Sequence, residues 1–578
     1  MRNNALLKRR GNAVSTAGSL GLFRCVPTAI WVLVCVVVLT ACGSSNKSST
    51  SSGNRSSTSS GSTSAIHLGT VSPAPKGTLP SMTWDLPYGD PQSLDYIKSS
   101  YFSNGAILGN LCEQLYRINP YTGQPEPDLA TSVSRPNPLT LVYTIRKGVR
   151  FWDGHLLTAE DAAYSLEREI IPALGGGQAI FFAYVTSIAA TGPHQVTIRF
   201  SKPNYLLQDE LATNSGFIAE AAYLKKAGKS YGTPHGGIMC TGPYKLVSWT
   251  SGSDLVMTAN PDYWDKALTP KVKTITFDFV ASTSALTTGL LSGSFDGSFD
   301  VPAAIIPALR SATVGHLYYG PSTEQDLLLP VRGLMTDPRI RQALSLALNR
   351  AQIAKVAYSG AATPLLSIVP PYVFGSNDPS LLQSAYNQLP GATPDVPRAK
   401  ALVREAGSPQ TPITFGYLGG DQVQLDVGSI LQADAAAIGL HVKLVPLTNA
   451  QVFSIDSGVG APSNVDLVFF PNYNLFRTPV EEPGFFVEPP PGGYVNFDHY
   501  SNPTVTRDLL LSLQTADVVK SDNLFIAAQK AWQTQDTAVI PVVAPDEVAF
   551  ANNKVTGFPT VFPYFFYPWA TMVGASGS

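Results

Sequence analysis

Long basic runs are missing from this 578-residue chain, in which 39 Lys and Arg residues face 41 Asp and Glu residues for a formal net charge of −2. A surface that tracks phosphates needs such a run, so nucleic acid is excluded as a partner. Histidine is scarce. The seven histidines are scattered, and none forms a His-Glu-x-x-His or another short ligand cluster, so neither a metal site nor a cofactor is expected. A Gly-x-Ser-x-Gly elbow is absent. Gly228-Lys229-Ser230 copies the end of a P-loop, but Tyr223 stands where the first glycine should be. With no nucleophile set beside an oriented base, the chain is not read as an enzyme, and an envelope hydrolase is the weakest of the competing functions.

What is present describes a folded protein: 44% of residues are hydrophobic and 10% aromatic, punctuated by 48 Gly and 46 Pro. The length exceeds what one core supports, so at least two lobes are expected. The first segment is an export signal. Lys8, Arg9, Arg10 and Arg24 form a basic region, and Ile30 to Leu39 is an apolar stretch too short for a comfortable membrane span. Gly11-Asn12 lack the apolar continuation of a twin-arginine motif. Leu39-Thr40-Ala41-Cys42 resembles a bacterial lipobox, which gives Cys42 a diacylglyceryl group after cleavage; an uncleaved anchor helix is the other reading. The stretch from Gly43 to about Ser64 is nearly all Ser, Thr, Gly and Asn and reads as a flexible tether.

Of five cysteines, Cys25 and Cys35 leave with the signal. Cys112 and Cys240 then remain in an oxidising compartment, where a disulfide between them is expected; two separately buried thiols are the alternative. Alternation at Val196, Ile198 and Phe200, and at Ile275, Phe277 and Phe279, predicts strands. Thr158 with Asp161, and Asp337 before Pro338, predict helix starts. A strand over Ile413 to Leu418, a helix over Val423 to Ile438, and strands over His441 to Leu447 and Val465 to Phe470 predict a β-α-β lobe with a parallel sheet.

The segment Leu141 to Arg168, LVYTIRKGVRFWDGHLLTAEDAAYSLER, resembles the hallmark of the peptide/nickel-binding family of extracytoplasmic solute receptors. Its parts are Arg146 to Val149, Phe151, Asp153-Gly154 and Thr158 to Asp161. Leu94-Asp95, Leu111 to Leu115, Asp128 to Ala130, Thr241 to Leu246 and Asn260 to Trp264 follow in the family's order. Leu291 to Asp296, Arg339 to Arg350, Ala406-Gly407 and Tyr500 to Pro503 continue it, so the likeness spans nearly all of the mature chain.

The resemblance implies an α/β, two-lobed periplasmic-binding-protein-like fold of the large type, with an extra subdomain in lobe I, a ligand cleft between lobes and a two-crossover hinge. The expected division is a signal peptide at 1–41, lipidated Cys42 and tether to 75, lobe I at 76–280 completed by 540–578, and lobe II at 281–539. It further implies the substrate-binding component of an ABC importer: a monomer, lipid-anchored on the extracytoplasmic face of the cell membrane, that passes a peptide or peptide-like solute to permease subunits. A non-transport scaffold or regulator of the envelope, and a receptor for a non-peptide solute such as a nickel chelate, are the alternatives.

The family geometry assigns Glu113 and Gln114 to the first wall of the cleft, joined by Phe182 and Tyr184, with Phe470, Asn472 and Tyr473 opposite. Peptide-binding members hold the ligand's ammonium with an aspartate shortly after a Trp. Here Phe470 stands near the Trp position and no carboxylate follows until Glu481 and Glu482, which are the candidates to replace it.

Overall fold

The structure is a computed structural model that describes residues 66, 68–98, 102–174, 179–280, 282–376, 378–488 and 493–577. The expected export signal, Cys42 and most of the expected tether lie outside these residues. Contacts with the body begin before residue 75, the limit expected for the tether: Leu68 and Val71 bridge Tyr319 and Pro559, and the Ser72 hydroxyl accepts from the Gly557 and Phe558 N–H groups.

Two large sheets organise the body. The first has seven strands in the order Tyr244–Thr250, Asp254–Ala259, Val272–Asp278, Leu79–Asp85, Gly297–Ser298, Glu547–Asn552 and Gly315–Gly320. Leu79–Asp85 runs parallel to both of its neighbours, and the other pairings are antiparallel. Trp84 anchors this lobe's core: its ring lies 5.1 Å from Phe299, 5.5 Å from Phe558 and 5.4 Å from Trp569. Residue 297 must be glycine, since a Cβ there would stand 2.3 Å from the Trp84 ring.

The second sheet has six strands in the order Ala362–Pro364, Ile540–Pro545, Glu324–Pro330, Leu467–Tyr473, Ile413–Leu418 and Val442–Leu447. Its β-α-β part is parallel as expected: Ile413–Leu418 pairs in parallel with Val442–Leu447 and Leu467–Tyr473, and helix Gln422–Ala437 makes the crossover. The sheet as a whole is mixed. Glu324–Pro330 enters from the first lobe and pairs antiparallel with Leu467–Tyr473 and Ile540–Pro545.

A third, four-stranded antiparallel sheet, in the order Ala130–Asn137, Thr140–Ile145, Gln195–Phe200 and Val185–Gly192, forms the extra subdomain. Helix Ala159–Glu167 packs against it. Thr158 opens that helix with the predicted capping box: the Asp161 N–H donates to Thr158 Oγ1 at 3.2 Å, and the Thr158 N–H donates to Asp161 Oδ2 at 3.0 Å.

The chain passes from the first large sheet to the second through residues 321–323, and returns through Asp546. The limits expected at 280 and 539 therefore fall elsewhere than the strand exchange. Gly297–Ser298 and Gly315–Gly320 belong to the first sheet, and Ile540–Pro545 to the second. Local periodicity marks a strand but not the sheet it joins. Cys112 and Cys240 form a disulfide with Cα atoms 5.0 Å apart.

Candidate functional site

The lobes meet along several elements. Arg477 of the second lobe donates from Nη1 to the Thr122 carbonyl at 3.0 Å, and the Tyr205 N–H donates to the Leu513 carbonyl at 3.1 Å. Phe181 and Phe485 approach to 5.9 Å between ring centroids. Tyr473, at the end of its strand, lies 4.9 Å from Phe562 and 6.3 Å from Phe565 of the C-terminal return.

Beside Tyr473 the second lobe presents two buried carboxylates. Asn472 donates from Nδ2 to Glu482 Oε2 at 3.0 Å, and the Leu475 N–H donates to Glu481 Oε1 at 2.8 Å. The turn that follows Leu467–Tyr473 brings residues ten positions apart back together. From the first lobe, Glu210 ends the short helix Leu207–Glu210 and accepts hydrogen bonds from the hydroxyls of Thr213, at 3.2 Å, and Ser215.

The charge of Glu210 reaches both glutamates of the second lobe. Burial pushes the Glu482 carboxyl up to about 8, the Asn472 hydrogen bond pulls against it, and the charge of Glu210 adds to the rise. Burial likewise raises Glu210 to about 8, opposed by Ser215 and Thr213, with Asp209 adding. Glu481 is raised by burial, then by Glu482 and Glu210. Carboxyls from both lobes thus share one apolar setting, in which a cation would be favoured and a second anion opposed.

Further polar atoms lack a hydrogen-bond partner around this end of the second sheet. Thr323 Oγ1, both amide atoms of Gln325, both of Asn474 and Glu210 Oε2 are buried and unpartnered. Gln325 lies opposite Asn472 in register, and the Asn474 N–H donates to the Thr323 carbonyl at 3.0 Å. Buried amides without partners are costly, and amide groups of a solute are the chemistry that would satisfy them.

The residues expected for the first wall have other surroundings. Glu113 is buried and accepts from Tyr263 Oη at 2.7 Å and Trp264 Nε1 at 3.0 Å, and so holds the turn around residue 263 inside the first lobe. Gln114 is buried and donates to the Phe566 carbonyl at 2.9 Å, tying the C-terminal return in place. Phe182 is packed in the core, and Tyr184, at φ +68°, lies beneath the Lys202 ammonium, 5.1 Å from its ring centroid. On the opposite side, Phe470 packs on Phe486 at 5.8 Å and supports the strand that carries Asn472 and Tyr473. Glu210 was not singled out from the sequence. The signal was the acidic pair Asp209-Glu210 set within the apolar run Tyr205 to Ala212.

Residues 124–468 match the model of the bacterial extracellular solute-binding proteins, family 5 (middle region). The glutathione-binding protein GsiB of Escherichia coli (strain K12) is 26% identical over 428 residues, covering 73% of this chain and 80% of that protein. The oligopeptide-binding protein AppA of Bacillus subtilis, solved with a nonapeptide, superposes with a TM-score of 0.71 at 16% identity, over 87% of this chain and 99% of that one. AgaA of A. tumefaciens R10, solved with agropinic acid, gives a TM-score of 0.72 at 20% identity, over 86% and 99% of the two chains.

Proposed function

The chain belongs to family 5 of the bacterial extracellular solute-binding proteins, and from that membership we propose that it captures a peptide or peptide-like solute bearing a cationic group and delivers it to the permease of an ABC importer. One observation carries the choice of solute: Glu481 and Glu482 of the second lobe are buried, and the charge of Glu210, buried in the first lobe, reaches both. An ammonium would relieve their mutual repulsion, and the amides of Gln325 and Asn474 supply donors and acceptors for a peptide backbone. Glu482 takes the part that an aspartate nearer Phe470 plays in peptide-binding members of the family.

Delivery requires that the closed lobes bind solute more tightly than the open ones, because equal affinity for both states shifts nothing. Residues 321–323 and Asp546 are the crossings about which the lobes would turn. Cys42, lipidated after removal of residues 1–41, would hold the protein on the outer face of the membrane. Among the described residues no helix is long and apolar enough to cross a membrane.

The test is native mass spectrometry of the full chain purified without denaturation, followed by thermal shift with a pooled library of short peptides. Bound peptide mass, and stabilisation by free-amine peptides but not by their N-acetylated forms, support the proposal. Stabilisation by neither set counts against it and favours a non-transport role.

A further inference from the structure

Three carboxylates from distant segments converge where the chain passes between the lobes. Glu324 opens its strand just beyond the outward crossing, and Glu547 opens its strand just beyond the return. Asp300 follows the short strand Gly297–Ser298, and its neighbour Val301 donates its N–H to the Val548 carbonyl at 2.8 Å. Carboxylate oxygens of the three residues all lie within 4.8 Å of one another. Asp300 and Glu547 belong to the first lobe and Glu324 to the second, so the group spans the crossing.

Glu547 is only 2% exposed, and neither of its carboxylate oxygens has a hydrogen-bond partner. The charges that act on Glu324 are those of Asp300 and Asp326, and those that act on Glu547 are Asp300 and Glu324, all negative. Burial and this repulsion push both glutamates well up from the ordinary carboxylate range.

An oxygen-only donor set suits a hard cation. Oxygens up to 4.8 Å apart are spanned by an ion with metal–oxygen distances of about 2.3–2.6 Å, as calcium has, whereas magnesium at about 2.0–2.1 Å would draw them closer. No short sequence motif announces the group, since its members are brought together by sheet pairing alone. A second cluster, Asp153, His155 and Glu220, is different in kind: His155 Nδ1 lies 2.7 Å from Asp153 and 3.0 Å from Glu220, so the imidazole already answers both acids.

We propose that Asp300, Glu324 and Glu547 bind a calcium ion that ties the outward and return crossings together. None of the three carboxylates is among the groups proposed to hold solute, although Glu324 lies opposite Tyr473 in register. It is tested by calorimetric and thermal-shift titration of the chelator-treated full chain with calcium chloride, alongside Glu547→Gln, Glu324→Gln and the control Asp153→Asn. The expected result is one calcium per chain with a dissociation constant of about 1 mM or tighter. Binding should weaken at least about tenfold in both glutamine variants and stay unchanged in the control. The glutamine variants should melt no lower than calcium-free wild type, because each removes a charge from the cluster. No calcium-dependent heat or melting shift up to about 10 mM, or equal binding in Glu547→Gln, overturns the proposal.

Discussion

Asn472 donates to Glu482 at 3.0 Å, holding one oxygen of a carboxyl that burial lifts to about 8 from an ordinary value of 4.5. The raised value makes a signed prediction. The folded protein binds this proton more tightly than the unfolded chain, so the contribution of Glu482 to stability falls as pH rises from about 4.5 to about 8. Glu482→Gln removes that slope. Subtracting the variant's melting temperature from that of solute-free wild type across this range should leave a difference that falls steadily as pH rises; a constant difference would refute it.

A cationic solute that binds the ionised glutamates must displace their protons. Its affinity should therefore increase as pH rises toward about 8, with proton release to the buffer. Titration calorimetry in two buffers of different ionisation enthalpy measures the release, and Glu482→Gln should reduce both the release and the affinity.

Arg168 and Asp95, 73 residues apart, form two parallel hydrogen bonds of 2.9 Å each, both side chains buried. The guanidinium also lies 5.0 Å from the Tyr96 ring and 5.6 Å from that of Tyr231. Removing one partner strands a buried charge, so Asp95→Ala should cost about 3–5 kcal/mol in denaturant unfolding. The double variant Asp95→Leu/Arg168→Met should recover much of the loss, because the charge goes with its partner.

The Cys112–Cys240 bond closes a loop over a separation of 128 residues. On the chain-entropy account its loss costs about 4–5 kcal/mol, and the double variant Cys112→Ala/Cys240→Ala should show a correspondingly lower unfolding midpoint. The bond lies within the first lobe, so solute affinity measured well below the melting temperature should persist.

Helix Phe102–Leu111 lies against the C-terminal return through Gly105 and Gly109, one turn apart. A Cβ at 109 would meet the Tyr567 carbonyl oxygen at 2.7 Å, and one at 105 the Phe565 ring at 2.3 Å. Backbone yields less than a ring, so Gly109→Ala should destabilise by about 1–3 kcal/mol and Gly105→Ala by less. Equal losses would show that the ring is as fixed as the carbonyl.

Local signals were legible in the sequence. Thr158 and Asp161 announced their capping box, the Ile413–Leu418 strand has the limits that its pattern predicts, and helix Gln422–Ala437 differs from its predicted limits by one residue at each end. Long-range placement was less so. Period-two alternation cannot say that Gly315–Gly320 pairs with a strand more than two hundred residues later, and so the lobe limits moved. Glu113 and Gln114 sit in a matching sequence block, yet their partners Tyr263, Trp264 and Phe566 come from remote segments that turn both side chains inward. Glu324 and Glu547 were unreadable for the same reason, since their chemistry arises only when distant strands converge, whereas Glu210 left a local sign in its pairing with Asp209 inside an apolar run.

Small-angle X-ray scattering of the full chain, with and without the peptide that native mass spectrometry identifies, tests the central claim most directly. A smaller radius of gyration on adding saturating peptide, absent in Glu482→Gln at the same concentration, is the predicted result. An unchanged radius under conditions where calorimetry shows the site filled would contradict capture by closing lobes.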